Sequence, residues 1–181
     1  MKTARNRFTL IELLVVIAII AVLAGLLLPA LIGAQQHAKR TAALTEMKML
    51  QTAIAMYESD YGYLPMGGAE RVLTGGEYTA LIQTLQNVPP CGNARGKRYL
   101  DIVTKQGAGV MNDPWSTTAA NTRQYKVALD LNYDGQIDAN AGTGPDAVVY
   151  GRVAIWSVGR NRTDQHGETD PKPKDDVNSW R

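Results

Sequence analysis

The sequence predicts an α+β fold, a long N-terminal α-helix packed on a small antiparallel sheet of two to four strands. Three observations predict it. The chain opens with an almost unbroken apolar run, Phe8 to Leu28, and about 20 helical residues at 1.5 Å rise cross a hydrocarbon layer. Next, Leu44, Met47, Leu50, Ile54 and Tyr57 recur at spacings of three or four, with Gln36, Lys39, Arg40, Glu46, Lys48 and Gln51 on other faces. That is an amphipathic helix with one face on a folded domain. Later the period changes to two, as strands require.

Taken in order, "MKTARNR" holds Lys2, Arg5 and Arg7 and no acid. Residues 1–7 read as a basic leader, 8–31 as a membrane-crossing or assembly helix, and 32–59 as its amphipathic continuation. "DYGYLP" ends the helix near Ser59, through Gly62 and Pro65. The remainder, 60–181, reads as a head. In it "EYTALIQTLQ" (Glu77–Gln86) predicts a short helix stopped by Pro89 and Pro90, "GKRYLDIVT" an extended piece, and "NDPW" (Asn112–Trp115) a turn. "RQYKVALDL" puts Tyr125, Val127 and Leu129 on one face and Gln124 and Lys126 on the other, a half-buried strand. "AVVYGRVAIWSV" predicts a second, central strand. From Gly159 to Arg181 the tail is polar and has no period.

Composition narrows the function. Formal net charge is +2 over 181 residues, and no basic-aromatic motif accompanies it, so nucleic acid is not an expected partner. Without the three leader cations, the 19 Lys and Arg fall to 16 against 17 acids. Cys91 has no internal partner and reads as a partly buried small apolar residue. No catalytic constellation assembles. His37 and His166 lack ligand spacing, Ser157 lacks a G-x-S-x-G setting, and "GTGPD" lacks the Lys of a phosphate loop.

Glu12 is the anomaly, because a carboxylate inside a membrane helix costs a few kcal/mol and by default has a partner or a task. A cleaved secretory signal does not fit, since the apolar run is too long and no A-x-A site closes it. A plain anchor explains the length but not Glu12. Cleavage between Arg7 and Phe8 would explain both, by placing a new α-amine four residues from Glu12. In an assembly of such helices one subunit's carboxylate can then meet a neighbour's amine and fix the axial register.

A basic leader before "FTLIELLVVIAII" resembles the class III signal of the type IV pilin-like superfamily, which includes type II secretion pseudopilins. The resemblance implies removal of the leader by a prepilin peptidase and N-methylation of Phe8. It also implies that Glu12 is the assembly glutamate, and that Pro29 is the proline able to kink the end of the membrane span. The family usually has Gly before the cut, where this chain has Arg7. A second stretch, "NDPW" and then "AIWSVGRN" and "KDDVNSW", is similar to the C-terminal half of the major pseudopilins of type II secretion. This likeness implies a structural filament subunit that helps export proteins. Its expected partners are copies of itself, other pseudopilins and an inner-membrane assembly platform, with a single-pass anchor and a periplasmic head. Two alternatives stand beside it, a type IV pilus subunit and a non-polymerising, membrane-anchored binding module.

Calcium takes six to eight hard oxygen ligands, often gathered by an irregular loop. The tail offers Asn161, Asp164, Glu168, Asp170 and the adjacent Asp175 and Asp176. The resemblance assigns the ligand roles to Asn161, Asp175 and Asp176, with a backbone carbonyl near Val158 or Arg162. A second candidate, "DLNYDGQIDANA", looks like an EF-hand or dockerin loop. Asp130, Asn132 and Asp134 stand at positions one, three and five, Gly135 at six and Asp138 at nine, but Ala141 stands where a closing carboxylate belongs. The preferred reading of this stretch is a β-hairpin turn with Asp-Gly chemistry, which needs no metal.

Overall fold

The apolar run and the amphipathic stretch both fold into α1, Leu10–Tyr61. The computed structural model describes residues 9–68, 70, 72–73, 75–101, 109, 111–116, 124–137, 148–161 and 176–180. The chain divides into two units, 1–38 and 39–181.

In the first unit every described side chain from Thr9 to Gln35 is exposed. Leu10 is 87% and Leu26 73% accessible. By length and composition this stretch suffices to cross a membrane. Pro29 lies inside α1, which continues through it. Pro29 supplies no N–H, and the carbonyl that its ring crowds belongs to Gly25.

In the second unit α1 buries Ala43, Met47, Leu50, Ala53, Ile54 and Tyr57. The expected stripe holds except at its first member. Leu44 is exposed, and Ala43, four residues before Met47, takes the core position. The helix runs two residues past Ser59 and ends where Gly62, at φ 78°, donates its N–H to the Glu58 carbonyl. β1, Val72–Leu73, comes next, then α2, Gly76–Gln86. Asn87 closes α2 in the left-handed conformation, and its N–H and that of Val88 return to carbonyls of the last turn. "GKRYLDIVT" is not a strand over its described part. Its Tyr99 and Leu100 are buried, and both their N–H groups donate to the Leu85 carbonyl. A helix end therefore satisfies this backbone in place of a sheet neighbour.

The remaining strands are β2 (Lys126–Leu129), β3 (Gln136–Ile137), β4 (Val149–Tyr150), β5 (Val153–Ser157) and β6 (Val177–Asn178). They make a four-stranded antiparallel sheet in the order β1-β2-β5-β6, and a separate β3-β4 ribbon. Two expectations change here. "AVVYGRVAIWSV" is two strands in different sheets, broken at Gly151, whose φ of 146° an L side chain rarely adopts. Its second part, β5, is central as expected. The tail is not wholly irregular either, since Val177 and Asn178 pair with Ser157 and Trp156.

Strand alternation sorts the core. Tyr125, Val127, Leu129, Ile155 and Val177 join α1 and α2 in one cluster, while Ala128, Ala154 and Trp156 join Ile137 and Val149 of the ribbon in another. β2 is thus covered on both faces rather than half-buried. On the ribbon side Trp156 meets Trp180 edge-on at 5.9 Å.

Leu50 is fully buried and Leu13 exposed. Leu50→Ala is expected to lower unfolding free energy by about 2–5 kcal/mol, and Leu13→Ala to change it by less than about 0.5 kcal/mol, both read by denaturant melts in detergent. Equal effects would contradict this division of the helix.

Candidate functional site

Residues 1–8, including the Arg7–Phe8 junction, lie outside the described residues. The first described turn already gives Glu12 a role. Its Oε2 accepts from the Thr9 N–H and the Thr9 hydroxyl, both at 2.8 Å, and the Glu12 N–H donates to Thr9 Oγ1 at 3.3 Å. This is a capping box, Thr-x-x-Glu, which satisfies N–H groups that a helix start leaves open. Within a single chain the carboxylate thus has hydrogen-bond partners.

The two C-terminal stretches of "NDPW" and "AIWSVGRN" meet in the second unit. The "NDPW" turn forms as expected, with Ser116 N–H donating to the Asp113 carbonyl. The Ser157 hydroxyl donates to Asp113 Oδ2 at 2.7 Å and accepts the Gly159 N–H at 3.2 Å. Asp113 and Ser157 are both buried. One hydroxyl therefore ties the turn to the root of the C-terminal loop. Across that root, the register Ser157↔Val177 sets Val158 opposite Asp176 one step beyond the ladder. Asn161 is exposed and Asp176 buried. Residues 162–175, with Arg162, Asp164, His166, Glu168, Asp170 and Asp175, lie outside the described residues. The described ends of this loop are therefore brought together, and both carry oxygen donors.

Nearby is a half-buried carboxyl. Glu46 Oε2 accepts from the Tyr125 hydroxyl at 2.5 Å. Burial holds the Glu46 carboxyl above its ordinary 4.5, against the pull of the Tyr125 hydrogen bond, and the Asp113 charge adds to the rise. Burial likewise raises Asp113 above its ordinary 3.8, opposed by the Ser157 hydrogen bond and more weakly by Lys39. Tyr125 is pushed up by burial and then by Glu46. Sequence periodicity placed Glu46 on a solvent face and gave no sign of its partner 79 positions later.

The Asp130 loop is not the expected hairpin turn, because β2 and β3 do not pair with each other: β2 pairs with β5 and β3 with β4. Side-chain oxygens instead fold the loop inward. Asp130 Oδ2 accepts the Gly135 N–H at 3.1 Å, Asn132 Oδ1 the Asp134 N–H at 3.1 Å, and Asp134 Oδ1 the Gln136 N–H at 2.8 Å. Gly135 holds the bend at φ 83°. Tyr133 pins the loop from outside, its hydroxyl accepting the Leu64 N–H and its ring lying 4.6 Å beneath the Arg152 guanidinium. Asp138 and Ala141 lie outside the described residues.

Glu70 joins this loop, and sequence reasoning missed it. β1 pairs with β2 as Val72↔Ala128, so the same register two residues on sets Glu70 across from Asp130. Carboxylate oxygens of Glu70, Asp130 and Asp134 lie within 4.8 Å of one another. On the other side of Asp130 stands Arg152, its carbonyl accepting the Asp130 N–H and its guanidinium 3.6 Å from Asp130 Oδ2. The same guanidinium lies 3.3 Å from Glu58. The only signal for Glu70 was the pairing of a two-residue strand, too short for periodicity to show. Cys91 is half-buried with a free thiol, as expected.

Known proteins resemble this chain along most of its length. It is 35% identical over 175 residues to the type II secretion system core protein G of Dickeya chrysanthemi, covering 96% of this chain and 100% of that protein. To the protein of the same name from Vibrio cholerae it is 31% identical over 168 residues, 87% of this chain and 97% of the other. The Klebsiella pneumoniae protein is 28% identical over 155 residues, with 84% and 95% covered. No family model and no solved structure gives a match.

The raised carboxyls fix the sign of a pH effect. Between its ordinary and its raised value, Glu46 holds a proton in the folded chain that the unfolded chain has released. Its contribution is therefore fully present on the acid side and lost as pH rises through the folded value. Glu46→Gln is expected to gain stability relative to the parent as pH rises from 4.5, read as the difference between paired thermal melts. A difference independent of pH, or one shrinking as pH rises, would contradict this.

Proposed function

Because this chain belongs to the family of type II secretion system core protein G, the major pseudopilins, and is a structural pseudopilus subunit, we propose how it is processed and assembled. The leader is removed between Arg7 and Phe8 by a prepilin peptidase, and Phe8 is N-methylated. The subunit waits in the inner membrane as a single-pass protein with its head in the periplasm. It then passes into a filament with copies of itself and other pseudopilins. One observation carries this reading: the Leu10–Ile32 stretch of α1 is apolar and its described side chains are exposed. Such a surface is stable in lipid or against other helices.

In the filament, Glu12 exchanges Thr9 for the freed amine of an adjacent subunit. The capping box supports this path, because it gives the carboxylate hydrogen bonds before assembly. Pairing across subunits would neutralise both charges in a low-dielectric core, where a lone charge is costly. For the head, the resemblance points to calcium in the C-terminal loop through Asn161, Asp175, Asp176 and the Val158 carbonyl. The β5–β6 ladder supports it by joining the two ends of that loop. A bound calcium would supply a fixed positive centre that ties the loop's oxygens together.

Glu12→Leu leaves a neighbour's amine unpaired in the core, a loss of about 3–5 kcal/mol by analogy with buried pairs. Sheared-filament assays are expected to show no incorporation of this variant, while the protein accumulates in the membrane with an unchanged melting temperature. Normal incorporation would contradict the pairing as the determinant of assembly. Intact-mass analysis of the membrane-extracted protein is expected to show a chain beginning with N-methyl-Phe8. A retained "MKTARNR" would rule out the processing step.

A further inference from the structure

We propose that Glu70 and the Asp130–Gln136 loop form a second calcium site, with Glu70 supplying from a separate strand the closing carboxylate that Ala141 cannot. The proposal is independent of the filament reading and of the C-terminal loop.

An EF-hand loop binds through positions one, three, five and nine, a backbone carbonyl at seven, and a bidentate Glu at twelve, with Gly at six for the bend. Here one, three, five and six are Asp130, Asn132, Asp134 and Gly135. The geometry matches the chemistry of such a loop. Asp130 Oδ2 is occupied by the Gly135 N–H and by Arg152. Its other oxygen, Oδ1, is buried and makes no hydrogen bond among the described residues, on a residue with 0% exposure. A buried carboxylate oxygen left without a partner is costly. Among the described residues no hydrogen-bond donor reaches it, and a cation would supply the missing partner.

The backbone agrees. The Gly135 carbonyl accepts the Gly151 N–H, which makes that pair the hydrogen-bonded one of the β3-β4 ribbon. Bonded and non-bonded pairs alternate along an antiparallel ladder, so Gln136, the next residue, turns its N–H and carbonyl away from β4. Its N–H goes to Asp134 Oδ1. Its carbonyl, at position seven, faces the same way, away from β4.

Glu70 completes the set. The β1–β2 register carries it to the side of Asp130, within 4.8 Å of the other two carboxylates. Three carboxylates so close repel one another, and the Arg152 guanidinium beside Asp130 is shared with Glu58. Oxygen-only donors, three of them carboxylates, select a hard divalent cation, and the spread of donors over an irregular loop suits calcium better than octahedral magnesium.

The test uses the full chain in detergent, stripped with chelator and titrated with calcium chloride by calorimetry. Asp175→Asn with Asp176→Asn serves as the background, so that the C-terminal loop contributes no heat. Calcium binding is expected to persist in this background, at about 10⁻⁴–10⁻³ M or tighter. Adding Glu70→Gln or Asp134→Asn is expected to weaken it at least about ten-fold, while circular dichroism of each variant matches the background. Asp134 is exposed, so its substitution tests the site without disturbing the core. No calcium heat in the background, or unchanged affinity in either added variant, would overturn the proposal. If instead the background abolishes binding and the parent binds a single calcium, only the C-terminal site exists.

Discussion

Between Leu10 and Ile32, sixteen Leu, Ile and Val side chains of α1 stand exposed, and every other feature of the chain must accommodate them. Burying such a side chain is worth about 1.5–3 kcal/mol, so even half-exposed they forgo on the order of 20 kcal/mol in water. That exceeds the roughly 5–15 kcal/mol net stability of an ordinary domain. The stretch needs a second solvent, and in the proposed pathway this is first lipid and then the same segment of other subunits. Because lipid is as apolar as Leu, hydrophobicity alone does not choose between the two, and polar groups must decide. Among the described residues from Leu10 to Gln35, Glu12 is the one ionisable side chain.

The capping box changes how that carboxylate is understood. From sequence, Glu12 looked like a bare charge waiting for a neighbour's amine. In the folded chain it closes on Thr9 and satisfies the helix start. In the proposed pairing, assembly is an exchange of partners rather than the rescue of an isolated charge. Such an exchange would let the subunit rest in the membrane without a large penalty, and would still reward the one axial register that offers an amine.

Much of this was legible in the sequence, and the failures have a common cause. The long helix, the second helix and the central position of β5 could be read because each carries several turns or several alternations. Leu44 misled because Ala43, small and inconspicuous, fits the contact where a larger side chain was expected. β1 and β6 were invisible at two residues each, and with β1 went Glu70, whose position depends wholly on pairing with β2. The Asp-Gly pair suggested a hairpin because that chemistry is local. Strand partners are not local, and the chain pairs β2 with β5 instead. Glu46 was placed on a solvent face by periodicity, which cannot report that a tyrosine from a distant strand will reach it.

The head shows a consistent design at the ends of its strands. At one end, Ser157 joins the "NDPW" turn to the C-terminal loop by a single hydroxyl. At the other, the β1–β2–β5 register aligns Glu70, Asp130 and Arg152. In both places a short ladder brings together oxygens that are far apart in sequence. The most direct measurement is a reconstruction of the assembled filament at side-chain resolution. Leu10–Ile32 should be buried against the same segment of adjoining copies, with the Glu12 carboxylate within about 4 Å of a neighbour's terminal amine. A filament in which Glu12 remains closed on its own Thr9, away from any neighbour's first residue, would contradict the exchange.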